Sequence, residues 1–158
     1  MSQGRGGIKT LHTIGYQGRS LEEFVRLLRA SGIDALVDVR DVPWSHKPGF
    51  SKKPLSEALA KARVAYVPAP FAGNPKSLRS SVGTTEDALR LYAGHLDAEP
   101  EIVAKFDTLI EDLLEQGKRP CLLCFEDDPA ACHRTILAER WAGLEEGRSV
   151  RHLRFAKR

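Results

Sequence analysis

The sequence predicts an α/β domain of three layers, in which helices cover both faces of a mainly parallel β-sheet. Short β-rich runs alternate with segments of helical periodicity, which is the pattern of a parallel sheet with crossover helices. The run over residues 35–39 is apolar except for Asp38, as expected of a strand buried on both faces. The chain has 158 residues, which is enough for one hydrophobic core and leaves little room for a second.

The first half of the chain predicts three strands and two helices. Ser20 and Glu23 form a capping box at the start of a helix that ends at Gly32. Pro54 marks the start of the second helix, because proline is tolerated in the first helical turn, and Pro68 ends the third strand. The predicted order is strand 9–14, the helix after Ser20, strand 35–39, helix 55–62 and strand 65–67.

The second half contains the clearest helix of the sequence. Between residues 100 and 116 apolar side chains recur at intervals of three and four, and Gly117 follows as a stop. Thr84 or Thr85 caps the helix before it. The predicted order is helix 85–96, helix 100–116, strand 120–125, a helix that begins at Asp128 and a final strand 150–155. The complete alternation is Rossmann-like.

The composition is not that of a membrane or secreted protein. The apolar runs are too short to span a bilayer, residues 1–7 do not resemble a secretory signal, and we interpret the three cysteines as reduced thiols. We therefore expect a cytoplasmic protein without membrane contact, in which one domain over 8–155 follows a flexible N-terminus over 1–7. The net charge of +3 does not by itself predict nucleic-acid binding, and the sequence leaves the oligomeric state open.

Reactive side chains concentrate in the segments that follow the first four predicted strands. Ligands of parallel α/β sheets bind in the crevice beyond the carboxyl ends of the strands. We therefore expect these four segments to meet and form a binding site. They are residues 15–19, 40–53, 69–83 and 126–134.

The strongest local signal is Cys132-His133-Arg134 in the last of these segments. If Asp128 caps a helix, Cys132 and His133 lie in its first turns, where the helix dipole favours anions and lowers the pKa of a thiol. His133 can then transfer a proton, and Arg134 can bind a phosphate or carboxylate. The alternative is that Cys132 packs as a small apolar side chain and Arg134 pairs with Asp127 or Asp128.

Glu126 and the pair Asp38 and Arg40 are the next candidates. Glu126 follows the fourth strand, where it serves either as acid, base or nucleophile, or as an acceptor for backbone N–H groups of the turn. Asp38 and Arg40 are two residues apart and face the same side of an extended strand. They either orient a substrate or form a buried ion pair that stabilises the edge of the sheet.

The turn from the first strand into the first helix contains two glycines, Gly15 and Gly18. Its backbone amides can bind an anion with help from Arg19. Tyr16 either stacks on a substrate ring or covers the core. The segment matches neither a dinucleotide-binding fingerprint nor a phosphate-binding P-loop, so we predict no organic cofactor.

The loop over 44–53 mixes aromatic and basic residues, a combination that binds nucleotides by stacking and phosphate contact. We include His46 of this loop among the candidate substrate contacts. The same mixture also fits a nucleic-acid partner. Its basic residues are Lys47, Lys52 and Lys53.

Cys121 and Cys124 have the spacing of many redox and zinc motifs. Residues three apart in a strand point to opposite faces, which excludes one ion held by both sulfurs. Metal binding by Cys132, His133 and Glu126 is a separate alternative. We assign no metal ligand from the sequence.

Together these residues resemble the domain-of-unknown-function 488 family over about residues 10 to 153. The resemblance rests on Thr13-Ile14-Gly15-Tyr16, Val37-Asp38-Val39-Arg40, and Leu123-Cys124-Phe125-Glu126 with Cys132-His133-Arg134. It implies a small bacterial or archaeal cytosolic domain without a settled activity. Similar proteins carry Leu-Gly-Gly where this chain has Phe71-Ala72-Gly73-Asn74. The positions that the resemblance marks are Gly15, Asp38, Arg40, Pro43, Ser45, Glu126, Cys132, His133 and Arg134.

The sequence thus predicts a site for a small anionic, phosphate-bearing or nucleotide-like ligand, and a hydrolase or group transferase as the enzyme class. The alternative is a nucleic-acid or nucleotide-binding module without turnover. The predicted catalytic residues are Glu126, Cys132 and His133. The predicted substrate-binding residues are Gly15, Tyr16, Arg19, Asp38, Arg40, Ser45, His46 and Arg134.

Overall fold

A computed structural model describes residues 7–156 of the chain. Five strands in this part of the chain form one sheet in which every pair of neighbours is parallel. Helices cover both faces, which confirms the predicted three-layer α/β fold. Of the N-terminus that we expect to be flexible, residues 1–6 lie outside the described residues. The strands are β1 (Lys9–Gly15), β2 (Ala35–Asp38), β3 (Ala65–Pro68), β4 (Pro120–Cys124) and β5 (Arg148–His152).

The strand order β3-β2-β4-β1-β5 determines where a ligand can bind. The chain leaves β2 toward β3 but leaves β4 toward β5, so the segments after these two neighbouring strands diverge. A divergence of this kind opens a crevice at the carboxyl end of a parallel sheet. The topology therefore directs attention to the residues that follow β2 and β4.

Two hydrophobic clusters lie on opposite faces of the sheet. Leu122 of β4 packs in one, and its neighbours Cys121 and Leu123 pack in the other, which shows the alternation of a strand buried on both sides. No helix within residues 7–156 is long and apolar enough to cross a bilayer. The helices are α1 (Leu21–Ala30), α2 (Lys52–Lys61), α3 (Lys76–Arg79), α4 (Thr85–Ala98), α5 (Pro100–Glu115) and α6 (His133–Gly143), with 3₁₀ turns at Pro70–Ala72 and Pro129–Ala131.

Two predicted helix starts, those capped by Ser20 and Thr84, are correct. Ser20 and Glu23 form the expected reciprocal capping box, and Thr84 caps α4 through the backbone N–H of Asp87. The start of α2 differs, since Ser51 is its N-cap and Pro54 lies at the third helical position. Proline fits there because the first-turn N–H groups have no intrahelical partner.

The segment after β4 differs most from the sequence prediction. Asp128 caps only a short 3₁₀ turn, in which its carboxylate accepts a hydrogen bond from the N–H of Ala130. The chain then extends at Cys132, which is the N-cap residue of α6, and His133 is the first helical residue. The extended residue between the 3₁₀ turn and α6 directs the chain so that Cys132 and His133 lie next to Cys124 at the end of β4.

Candidate active site

A cavity of about 1030 Å³, which we call the C-edge cavity, opens beyond the carboxyl ends of β1, β2 and β4. The segments after these strands contribute to its wall, together with residues that precede and begin α4. Of the predicted site residues, those that line it are Tyr16, Arg40, Ser45, His46, Glu126 and His133. The remaining five, Gly15, Arg19, Asp38, Cys132 and Arg134, lie outside the lining.

Cys124, Cys132 and His133 form a buried cluster in the wall of this cavity. Their two Sγ atoms and one imidazole nitrogen lie within 4.8 Å of one another. Cys124 Sγ is 3.4 Å from His133 Nδ1, while His133 Nε2 lies 2.9 Å from the carbonyl oxygen of Val39. A carbonyl only accepts hydrogen bonds, so Nε2 carries a proton, and Nδ1 faces the sulfur atoms.

The environment of Cys132 opposes the low thiol pKa that a helix N-terminus favours. Burial raises the pKa of the Cys132 thiol, and the neighbouring Cys124 raises it further. Cys132 is 2% exposed, whereas Cys124, at 6%, borders the cavity. Burial therefore keeps the Cys132 thiol from the low pKa expected at a helix N-terminus, and Cys124 is the thiol that borders the cavity.

Glu126 places a carboxylate beside this cluster. Its side chain is partly exposed to the cavity, and its Oε1 lies 3.7 Å from Cys124 Sγ. The N–H of the following residue, Asp127, donates instead to the side-chain oxygen of Gln17. The Glu126 carboxylate can therefore contact both the Cys124 thiol and a ligand in the cavity.

Arg40 lines the cavity, but its guanidinium is hydrogen-bonded to other groups of the protein. Nε and Nη2 donate to the two carboxylate oxygens of Asp38 at 2.8 and 2.7 Å, and Nη1 donates to the carbonyl of Phe50 at 2.6 Å. Tyr66 donates its hydroxyl proton to Asp38 at 2.6 Å. This geometry is the buried ion pair that the sequence left as the structural alternative, and it neutralises the charge of Arg40.

Arg134 is fully buried and connects β1 to the segment after β4. Its Nε donates to Thr13 Oγ1 at 3.0 Å, and its Nη1 donates to the carbonyl of Glu126 at 2.5 Å. Nη2 contacts the carbonyl, not the carboxylate, of Asp127 at 3.4 Å. Arg134 therefore holds the backbone that carries Glu126 and does not project into the cavity.

Tyr16 lines the cavity, and Gly15 lies next to it at the end of β1. A Cβ on Gly15 would lie 1.8 Å from the carbonyl oxygen of Glu126, so only glycine allows β1 and the segment after β4 to approach this closely. Tyr16 stacks on Phe50 with ring centroids 4.4 Å apart and is 2% exposed, so its ring covers the core. Arg19 lies over the ring of Phe155, away from the cavity lining.

A family model described as "Domain of unknown function DUF488" matches residues 20–141. The chain belongs to the DUF488 family. This confirms the resemblance that the sequence analysis gave. Separate searches of curated proteins and of solved structures gave no match to the chain.

In this DUF488 chain the structure adds residues that sequence reasoning did not assign. Cys124 joins the cluster because it ends β4 at the point to which the 3₁₀ turn returns Cys132. Asn74 lines the cavity, is 7% exposed, and its buried Oδ1 has no hydrogen-bond partner among the described residues. The neighbouring Gly73 packs against the backbone of Asp41, which brings Asn74 to the wall. The sequence signal is a Gly-Asn-Pro run in the segment that follows the third strand.

Proposed function

We propose that this DUF488 protein is a hydrolase or group transferase that acts on a phosphate-bearing or nucleotide-like substrate in the C-edge cavity. One observation carries the proposal. Thiol, imidazole and carboxylate groups from the end of β4, the segment after it and the start of α6 meet at one wall of a cavity large enough for a nucleotide. Groups of this kind transfer protons and form or bind reactive intermediates.

In this proposal the reacting centre is the cluster of Cys124, Cys132 and His133, and Glu126 exchanges protons with the substrate. Glu126 takes this part because its carboxylate is partly exposed to the cavity. His133 acts through its contact with Cys124, since its other nitrogen is bound to a backbone carbonyl. Cys132 completes the cluster but lies outside the cavity lining, so it does not contact the substrate directly.

Substrate binding in this proposal uses side chains that have no internal partner to neutralise them. Lys47 and Arg79 line the cavity, and the part of the chain that the structure describes places no acidic side chain within 4 Å of either cation. Arg79 donates through Nε to the backbone carbonyl of Asn74 at 3.1 Å, a contact that leaves its charge in place. Trp44 is 57% exposed and Phe125 is 41% exposed, so both present aromatic surface for a planar ring. The free Oδ1 of Asn74 accepts a hydrogen bond from a substrate hydroxyl or amino group.

Replacement of Glu126 by Gln tests the catalytic part of the proposal. The change keeps the size of the side chain but removes its proton-transfer chemistry, so turnover should fall by about 100-fold or more. Turnover is measured with nitrophenyl phosphate and a panel of nucleoside mono-, di- and triphosphates. Binding, followed by quenching of Trp44 fluorescence, should persist in the variant.

Glu57→Gln provides the matched control, because Glu57 is exposed on α2 and lies outside the cavity lining. It should retain the activity and binding of the wild-type chain. If no compound in the panel is bound or converted by the wild-type protein, the proposed function is wrong. Equal activity of wild type and Glu126→Gln would remove Glu126 from catalysis.

A nucleic-acid-binding module without turnover is the second candidate function. Lys52 and Lys53 are exposed in the first turn of α2, which has no acidic residue, and exposed Trp44 lies shortly before them. Binding by these lysines to single-stranded oligonucleotides must weaken steeply as salt is added. Binding that is absent, or unaffected by salt, would eliminate this candidate.

A further inference from the structure

We infer that Cys124, Cys132 and His133 bind one zinc-class metal ion, with a fourth coordination position that faces the C-edge cavity. The sequence analysis considered Glu126 as the third ligand beside Cys132 and His133. The structure brings Cys124 to that place instead. The site needs no substrate, so metal binding can be measured whether or not the proposed function is correct.

The spacing of the three ligand atoms fits a tetrahedral ion. Zinc lies about 2.3 Å from a thiolate sulfur and about 2.0 Å from an imidazole nitrogen, so adjacent ligands are about 3.5 Å apart. Cys124 Sγ and His133 Nδ1 are 3.4 Å apart, and all three ligand atoms fall within 4.8 Å. Small rotations of the Cys132 side chain would close the remaining distance.

The imidazole of His133 is already oriented as a metal ligand. Its Nε2–H donates to the Val39 carbonyl at 2.9 Å, the outer contact that typically fixes the tautomer of a metal-binding histidine. The ring also packs edge-on against Tyr92, with centroids 5.0 Å apart. Tyr92 is held in turn by its hydroxyl, which donates to the carbonyl of Ala72 at 2.7 Å. Nδ1 therefore points toward the two sulfurs.

The donor set and the burial select the type of ion. Two thiolates and one neutral imidazole favour zinc or another borderline-soft metal over magnesium or calcium, which prefer oxygen. Two thiolate charges balance a divalent ion, which makes the loaded site neutral and compatible with its buried position. Three protein ligands with one open position are typical of catalytic zinc, and Cys124 and His133 both border the cavity.

The test uses the full chain, purified under reducing conditions, stripped with a chelator and titrated with cobalt(II). We expect one cobalt ion per chain, with the intense near-ultraviolet band of thiolate coordination and the visible bands of tetrahedral cobalt. Zinc should displace the cobalt and raise the melting temperature of the protein. A wild-type spectrum without the thiolate band would overturn the inference.

Cysteine-to-alanine variants locate the ion. Cys124→Ala and Cys132→Ala should each weaken zinc binding by about tenfold or more, since even outer contacts of a metal site are worth that much. Cys121→Ala is the matched control, because Cys121 is fully buried in the hydrophobic cluster on the opposite face of the sheet. Equal loss of affinity in all three variants would contradict the assigned ligands. Stoichiometric zinc binding without any turnover would leave the metal site intact and refute only the proposed function.

Discussion

Two cavities of nearly equal size lie at opposite edges of the sheet, about 1030 Å³ at the carboxyl ends of the strands and about 1010 Å³ at their amino ends. The second, which we call the N-edge cavity, is lined by charged side chains such as Lys9 and Glu111, which form an ion pair at 2.8 Å. Both cavities contain an imidazole and carboxylates, but only the lining of the C-edge cavity includes a thiol, that of Cys124, with Cys132 buried beside it. Cavity volume therefore does not distinguish a functional site in this protein, whereas the chemical groups in the cavity wall do.

The largest expected difference between the two edges comes from replacing a glycine by alanine. Gly15→Ala should lower the free energy of unfolding by about 3 kcal/mol, because the new Cβ would overlap the Glu126 carbonyl and force the strands apart. Gly7→Ala at the N-edge cavity should change it by less than about 0.5 kcal/mol, since its Cβ meets nothing within 4 Å. Urea unfolding measures both values. Similar costs at the two positions would contradict the close approach at Gly15.

An intermediate difference is expected from a pair of arginine replacements. Arg134→Met should cost about 2 kcal/mol, because it leaves the partly buried carbonyl of Glu126 and the buried hydroxyl of Thr13 without their donor. Arg119→Met at the N-edge cavity should cost less than about 1 kcal/mol, since Arg119 is exposed and donates its side-chain hydrogen bond to the Ser31 carbonyl from the surface. Thermal and urea unfolding of both variants, read against wild type, test the ranking. A smaller loss for Arg134→Met would show that Arg134 does not hold the segment after β4.

The smallest effect concerns pH and the N-edge cavity. Burial, with Arg119 and Arg151 nearby, lowers the pKa of His12 below its usual 6.5. The unfolded chain therefore binds the proton more readily, and the stability present above pH 6.5 is lost as the pH falls below that value. His12→Gln should lose less stability than wild type over this range. His152 contributes in the same direction, first through burial, so His12→Gln should reduce the slope without abolishing it.

Unfolding curves collected on both sides of pH 6.5 provide the measurement for His12. Identical slopes for wild type and His12→Gln would show that the histidine titrates alike in the folded and unfolded chain. A steeper slope for the variant would reverse the assigned direction of the pKa shift.

Regular patterns made much of the fold predictable from the sequence. The capping box of Ser20 and Glu23 and the apolar periodicity between 100 and 115 are local signals, and the structure contains both features. The 3₁₀ turn Pro129–Ala131 was missed because Asp128-Pro129 marks the start of either kind of helix. The sequence predicts the final strand over 150–155, whereas β5 spans Arg148–His152, because its register depends on pairing between Lys9 and Arg148, which lie far apart in sequence.

The candidate site was predictable as a set of segments but not as a set of contacts. Arg40 and Arg134 have the residue type of anion-binding groups, yet only three-dimensional contacts show that Asp38 and two backbone carbonyls already occupy them. The sequence considers Cys124 only beside Cys121 and does not assign it to the site. Strand alternation correctly separates it from Cys121, but its contact with Cys132 arises from a turn whose path the sequence does not specify.

The hydrogen bond from His133 to Val39 also limits how protons can travel. With Nε2 bound to a carbonyl, the ring has a single exchangeable end and cannot pass a proton through itself from the interior to water. A proton released at Cys124 instead has a route on the cavity side, where the Glu126 carboxylate lies 3.7 Å from Cys124 Sγ. A bound substrate that covers Glu126 would close this exit and isolate the centre from bulk solvent.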